Sequence, residues 1–531
     1  MLFIQNLTYT HPNKDLLFDN ITISLQQHQK TALIGHNGVG KSTLLQIIAG
    51  KLPSSGGIAR TITTPFYIPQ LYGQYDELTV AEALQIDDRL NAFYEILKGK
   101  LTEKNYTLLN DDWTIEERCK EALHYWQLPD MDILTTKIAH LSGGQKTKVF
   151  LAGMSIHQPE CILLDEPSNH LDSFARELLY EYIRAAKCTM LVVSHDRKLI
   201  NLMDSVCELH KNGAVLYGGN YDFYKAQKEL ENNALQLSIA NKERAVKKAK
   251  EKERETLERQ QKMDARGKSK QEKSGMPKIM MDKMKNDAEK STAKIKSVHT
   301  EKINTIAKEL QELRNTLPEW DKMRLTLDNA HLHKGKLLTV FKGVNFQYPS
   351  CPFLWATDLN FEIVSGERIA LNGSNGSGKT TLIQLLLQKQ KPGTGSITTA
   401  LTNSLYIDQE YSLLRNDLTV YEQAQAFNIS ALQEHEIKMR LSRFLFSKAD
   451  WDKSCQALSG GEKMRLLLCA LTIRAQAPDM IILDEPTNNL DIQNLEILTQ
   501  SLNSYQGTLL IVSHDSFFLQ EIGITRTIFL S

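Results

Sequence analysis

Two stretches of the 531-residue chain place residue types at a spacing that can grip phosphate: GHNGVGKST at Gly35–Thr43 and GSNGSGKTT at Gly373–Thr381. Glycines at 35, 38 and 40, and again at Gly373, Gly376 and Gly378, let backbone N–H groups turn inward around phosphate oxygens. They do so at a helix N-terminus, where the dipole favours negative charge. Lys41 and Lys379 are placed to reach the β- and γ-phosphates, and Ser42 and Thr380 to ligate Mg²⁺. One such loop can be a chance match; a second copy removes chance. Asp165 and Asp484 close apolar runs and are placed to hold Mg²⁺ through water, with Glu166 and Glu485 next in line. Successive side chains at a strand end diverge, so the glutamate can face the attacking water while the aspartate faces the metal. The plainer reading of each pair is a helix cap or a surface carboxylate. His195 and His514 end β-branched runs thirty residues beyond those aspartates. A lone histidine is more often a satisfied core or loop residue. Two at the same spacing point to a γ-phosphate contact that holds the water and the glutamate in place.

The elements that must position these residues repeat as well. TALIGHNGVGKSTLLQIIAG and RIALNGSNGSGKTTLIQLLL each read as an apolar strand, a glycine loop and a helix. CILLDE and MIILDE are continuous apolar runs, as expected of strands buried on both faces of a parallel sheet. LSGGQKTK at Leu141 recurs as LSGGEKMR at Leu458, ILLDEPSNHLD at Ile162 as IILDEPTNNLD at Ile481, and VVSHD at Val192 as IVSHD at Ile511. The fold class is therefore α/β, two P-loop domains in tandem. The first copy holds about 22 more residues than the second between Gln70 and Ser142, placing an insertion somewhere within about 80–135.

Between the copies, 220–266 and 278–317 contain neither Gly nor Pro. A helix of the first length would extend on the order of 60–70 Å. Ile303, Ile306, Leu310, Leu313 and Leu317 alternate three- and four-residue spacings, a coiled-coil seam; on the first helix Leu230, Ala234 and Leu237 fit it. The expectation is an antiparallel helical hairpin with its tip at residues 267–277. The chain then divides into a first nucleotide domain at 1–224, a hairpin linker at 225–335 and a second nucleotide domain at 336–531. Residues 241–300 hold 19 Lys/Arg against 10 Asp/Glu, in a chain whose totals balance at 63 each. Such a run usually means only a solvated face. At the end of a long projection it suggests a probe for phosphates, with Lys268, Lys270, Lys273 and Lys278 as RNA-contact candidates.

Composition limits the partners. Balanced charge leaves no whole-molecule field toward nucleic acid or membrane, so an electrostatic partner must be read by a local patch. No apolar run approaches a membrane span and the N-terminus has no secretory pattern. Seven scattered cysteines without a CxxC fit a reducing cytoplasm better than disulfides or zinc.

A Ser-Gly-Gly turn entering a helix can by itself be only a cap. Combined with the P-loops, the Asp-Glu pairs and the histidines, the two LSGG turns make each copy resemble an ATP-binding cassette. In that family the signature turn of one domain completes the ATP site of the other, head to tail. The resemblance then implies one site built from Tyr9 on the adenine face, the loop with Asn37 and Thr43, Gln70, Asp165, Glu166 and His195, closed by Ser459, Gly460, Gly461 and Glu462. The other would use Tyr348, the loop with Asn375 and Thr381, Gln409, Asp484, Glu485 and His514, closed by Ser142, Gly143, Gly144 and Gln145. Gln70 and Gln409 would join the Mg²⁺ ligands. An ordinary packed aromatic remains a close alternative for both tyrosines. Asn489 stands where the first copy has His170, a position that should face the opposite site and let the two halves turn over at different rates.

Two cassettes, no membrane domain and a charged helical linker resemble the ABC-F family of soluble translation factors. That implies an ATP hydrolase acting on the ribosome, in contact with rRNA and P-site tRNA. ATP would close the cassettes and insert the linker from the E site toward the peptidyl transferase region, and hydrolysis would release it. The insertion would be the family's arm, in a short form. Some members protect ribosomes from antibiotics and others act in elongation; the tip's Met276, Pro277, Ile279, Met280 and Met281 fit either. One chain would close both sites as a monomeric pseudo-dimer. The rival readings are a DNA-processing ATPase, the energy module of a membrane transporter, and a ribosome-bound scaffold that does not need turnover.

Overall fold

The computed structural model describes residues 2–272, 278–316, 333, 335–349, 351–374, 376–401, 403–429, 431–474, 477–488 and 490–530. They form two compact units, Met1–Tyr224 with Met323–Ser531, and Lys225–Lys322.

The first unit contains both repeats. In the first repeat, strands Phe66–Ile68, Cys161–Asp165, Thr189–Val193, Lys30–Ile34 and Ser205–His210 pair in parallel in that order, and Gly213–Tyr217 adds an antiparallel edge. Cys161–Asp165 and Thr189–Val193 are buried at every position. Their alternate residues feed two separate cores. Ile162, Leu164, Met190 and Val192 pack into one, and Leu163, Leu191 and Val193 into the other. This strand order has a consequence for chemistry. The strands that end in the glycine loop, in Asp165-Glu166 and just before His195 are immediate neighbours running the same way, so all three motifs emerge at one edge of the sheet. The second repeat places Ser404–Ile407, Met480–Asp484, Thr508–Val512, Arg368–Asn372 and Arg526–Phe529 in one sheet in that order. A three-stranded antiparallel sheet accompanies each: Leu16–Leu25, Leu2–Thr10 and Gly56–Thr61, and Leu359–Val364, Leu337–Asn345 and Thr394–Thr399.

Between Gln70 and Ser142 lie helices Val80–Ala83, Asp87–Leu97, Glu103–Leu109 and Ile115–Tyr125. The matching stretch of the second repeat has Val420–Ala426 and Glu434–Arg443 among its described residues. In the first, Leu90, Phe93, Ile96 and Leu109 are anchored in the core while Leu97 and Leu101 are exposed. Arg118 braces the segment by donating to both Asp112 carboxylate oxygens at 2.6 Å.

The second unit is made by helix Tyr221–Glu272, from Lys225 onward, and helix Lys278–Thr316. They run antiparallel. Glu253 accepts from Thr300 at 3.4 Å, Lys242 pairs with Glu309, and Glu243 accepts from Arg314 at 2.6 Å, so positions fall on one helix as they rise on the other. The first helix continues through Gly267 to Glu272, so residues 267–272 of the expected tip are helical. A single glycine costs about 1 kcal/mol in a helix, too little to end one this long. Lys273 to Pro277, Leu317, Asn375 and Asn489 lie outside the described residues, as do the side chains of Lys268, Lys270 and Lys278 to Met281. Ile303, Ile306, Leu310 and Leu313 do face inward, but Leu230, Ala234 and Leu237 are exposed. The seam on the first helix is offset: Lys228, Asn232, Leu235, Ile239, Lys242, Val246 and Ala249 form the sheltered four-three stripe. Among the described residues, no helix is long and apolar enough to cross a membrane.

Candidate active sites

In each P-loop the turn depends on backbone that only glycine adopts freely. Gly40 caps helix Lys41–Ile48 at φ 103°, and a Cβ there would lie 2.7 Å from Phe18 and 2.8 Å from Leu17. Lys41 Nζ donates to the carbonyls of Gly35 at 2.7 Å and His36 at 3.2 Å; Lys379 does the same with Gly373 at 2.7 Å and Ser374 at 3.0 Å. Both amines are thereby held over the mouth of their loop.

A cavity of about 810 Å³ opens above the first P-loop. The first repeat lines it with Asn37, Gly38, Gly40, Lys41, Ser42, Thr43, Gln70, Asp165, Glu166 and His195. The second repeat lines the facing wall with Ser459, Gly460, Lys463, Gln409, Glu410, Tyr411 and Asn416. Ser459 caps helix Gly460–Ile473 through a reciprocal bond with Glu462, which aims that helix's N-terminus at the cavity. The halves also touch directly. Asn37 N–H donates to Asp491 Oδ2 at 2.9 Å, and Arg197 pairs with Glu521 at 2.7 Å.

At the second P-loop, Thr380 donates to Asp484 Oδ2 at 3.4 Å and Tyr406 to the same oxygen at 3.1 Å. His514 Nε2 stands 3.4 Å from Glu485 Oε1, as His195 Nε2 stands 3.2 Å from Glu166 Oε1. Ser142 caps helix Gly143–His157 through a reciprocal bond with Gln145.

The family described as "ABC transporter" matches residues 18–169 and 356–488, one stretch in each repeat. The chain is 31% identical to the putative ATP-binding protein YdiF of Bacillus subtilis, over 97% of this chain and 78% of that protein. It is 30% identical to the ATP-binding protein Uup of Haemophilus influenzae, over 95% of this chain and 75% of Uup. The chain belongs to the ABC-F group of ATP-binding cassette proteins. Accordingly it is an ATPase. Another ABC-F relative, the energy-dependent translational throttle protein EttA of Escherichia coli, is 28% identical over 96% of this chain and 89% of its own. Among solved structures, the archaeal ribosome recycling factor aABCE1, crystallised with the ribosomal stalk protein aP1, shares the fold at TM-score 0.60. It is 19% identical and covers 99% of this chain and 87% of its own.

In this ABC-F chain Glu166 and Glu485 sit in buried, strained positions. Glu166 and Glu485 have φ of 52° and 49°, left-handed backbone that a glutamate rarely adopts, held by their N–H bonds to Val193 and Val512 carbonyls at 2.8 and 2.9 Å. Burial pushes both carboxyls well above the usual carboxylate range, Glu485 to about 7. Burial also drops the imidazoles of His195 and His514, the latter to about 4, leaving them neutral. Asp165 Oδ1 and both carboxylate oxygens of Glu485 are buried without a hydrogen-bond partner. Acceptors of this kind fit a site shaped for a cation and a water.

Not every expected residue joins the sites. Tyr9 is absent from the cavity wall; its ring packs 6.2 Å from Phe18, and His11 and Leu17 line the cavity instead. Tyr348 is half exposed and its hydroxyl lies 2.8 Å from Thr381 Oγ1. Gln409, expected beside the second P-loop, lines the first cavity. Tyr67 and Tyr406, which donate to Asp165 and Asp484, were missed. The matching FYIPQ and LYIDQ segments held that signal, since each tyrosine precedes its glutamine by three.

Proposed function

We propose that this chain is an ATP-driven, ribosome-acting factor that works as a monomer in the cytoplasm. The observation that carries the reading is a nucleotide cavity walled by both cassettes, in a chain that also contains a basic helical hairpin. A nucleotide in such a cavity favours the closed pair of cassettes, because its phosphates meet the first P-loop and the N-terminus of helix Gly460–Ile473 together. The names of EttA, a translational throttle, and aABCE1, a ribosome recycling factor, support the ribosome as the partner.

In this reading Lys41 and Lys379 bind the β- and γ-phosphates, and Ser42, Asp165 and Gln70 at the first loop, with Thr380 and Asp484 at the second, would hold Mg²⁺. When bound, Mg²⁺ neutralises charge on the phosphate oxygens. Glu166 and Glu485 orient and deprotonate the attacking water. His195 and His514, neutral in their buried setting, hold the glutamate and the γ-phosphate in register. Asn37 and Thr43, with Asn375 and Thr381, complete the loops around phosphate. Hydrolysis removes the shared ligand and lets the cassettes part. The hairpin tip, with Lys268, Lys270, Lys273 and Lys278, approaches P-site tRNA and rRNA near the peptidyl transferase region, where it acts either in protection from drugs bound there or in elongation.

The test is sedimentation of a Glu166→Gln, Glu485→Gln chain with ATP. Enrichment on ribosomes is expected, with crosslinks from the tip to P-site tRNA. Recovery with membranes or DNA instead defeats the proposal. Drug susceptibility with and without the gene separates ribosome protection from a role in elongation.

A further inference from the structure

The internal repeat allows each ATP site to be compared with its own mirror image. Asp172 and Asp491 cap helices Ser173–Ala185 and Ile492–Ser504 in the same way, accepting from Ala175 N at 2.9 Å and Asn494 N at 2.8 Å. The residues that follow differ. Where the first cassette has Ser173 and Arg176, the second has Ile492 and Leu495.

The first of these differences points at the neighbouring cassette's His514. Ser173 Oγ lies 2.9 Å from His514 Nδ1, and the far nitrogen of that imidazole faces Glu485. Hydrogen bonding at one ring nitrogen fixes which tautomer the other presents. At the opposite site His195 faces Glu166 through Nε2, but its Nδ1 is buried with no hydrogen-bond partner. Ile492 offers none; its side chain packs against the apolar core of the first cassette.

We propose that Ser173 is a positioning residue for ATP hydrolysis in the second cassette, acting by orienting the His514 imidazole. The first cassette's site receives no such contact, so the second site turns over faster. The inference rests on the reading of Glu166 and Glu485 as the two catalytic glutamates.

The experiment isolates each site. Glu166→Gln leaves turnover to the second site and Glu485→Gln leaves it to the first. In the Glu166→Gln background, Ser173→Ala should lower kcat about three- to tenfold, the size of one hydrogen bond, with KM for ATP held within about twofold. Ser173→Thr should recover part of the loss. Ser173→Ala in the Glu485→Gln background should cost less than a third as much. Installing Ile492→Ser there should raise first-site turnover. Equal losses in both backgrounds, or a change in KM and thermal stability with kcat preserved, would make Ser173 a structural contact and overturn the proposal. So would an unchanged kcat. If Glu166→Gln and Glu485→Gln each leave turnover intact, the assignment of the glutamates falls and the inference with it.

Discussion

Glu166 and Glu485 show how far residue type alone can reach. That a glutamate follows each strand-closing aspartate was plain from ILLDEP and IILDEP, and their neighbourhood to His195 and His514 followed from a common spacing. The left-handed backbone at both positions was not legible, because nothing in a glutamate's type announces φ near 50°. That conformation costs on the order of 1–3 kcal/mol, and the bonds to Val193 and Val512 maintain it. Its effect is to turn the side chain away from the strand line, toward the histidine. Changing both glutamates to Gln keeps the shape and removes the proposed base. ATP binding is expected to persist while turnover falls by roughly 10²-fold or more. Nucleotide affinity by fluorescence and turnover by phosphate release check it, and undiminished turnover refutes both assignments. The tyrosines mark the opposite limit. Tyr9 and Tyr348 hold mirrored places in sequence, yet Tyr9 packs on Phe18 while Tyr348 meets Thr381, because packing neighbours rather than register decide where a ring points.

Helix and strand were legible where burial is one-sided or complete, and less so where it is shallow. The parallel strands announced themselves as apolar runs, and the second hairpin helix through Ile303, Ile306, Leu310 and Leu313. The first hairpin helix misled, because its leucines at 230 and 237 point outward. Leu230 and Leu237 are 65% and 66% exposed, while Lys228, Asn232 and Lys242 occupy the sheltered stripe with Ile239, Val246 and Ala249. Lysine can fill a shallow seam with its alkyl stem and keep its amine at the rim, as Lys242 does toward Glu309. Two substitutions distinguish the stripes. Ile239→Asp places a charge against the facing helix and should destabilise the hairpin by about 2 kcal/mol or more. Leu237→Asp should change stability by no more than about 0.5 kcal/mol. Rates of limited proteolysis within residues 225–322 of the intact chain provide the readout. If the two variants are cleaved alike, the offset seam is wrong.

At the scale of the whole molecule, the duplication supplies two P-loops and two signature turns in one chain, so ATP turnover per chain should not depend on protein concentration. A second-order dependence, lost on dilution, would show that sites form between chains. The hairpin poses the remaining question, why a chain with 63 charges of each sign concentrates positive ones between residues 241 and 300. Solvation of two long helices requires charge but not one sign of it, since alternating signs serve as well and add favourable pairs along a helix. An excess of one sign costs self-repulsion, which a polyanion would offset. Replacing Lys268, Lys270, Lys273 and Lys278 with Gln removes four positive charges without adding bulk or a helix breaker. Ribosome affinity should weaken, most at low salt, where phosphate contacts contribute most. Each lysine–phosphate pairing adds a slope of about −0.7 to −0.9 in log K against log salt, so removing two to four of them should flatten it by roughly 1.5–3.5 units. Affinity measured at several salt concentrations, with helicity checked by circular dichroism, decides between a phosphate probe and a solvated turn. A parallel downward shift would mean that the lysines act without touching phosphate, and an unchanged line would mean that RNA is read elsewhere on the chain.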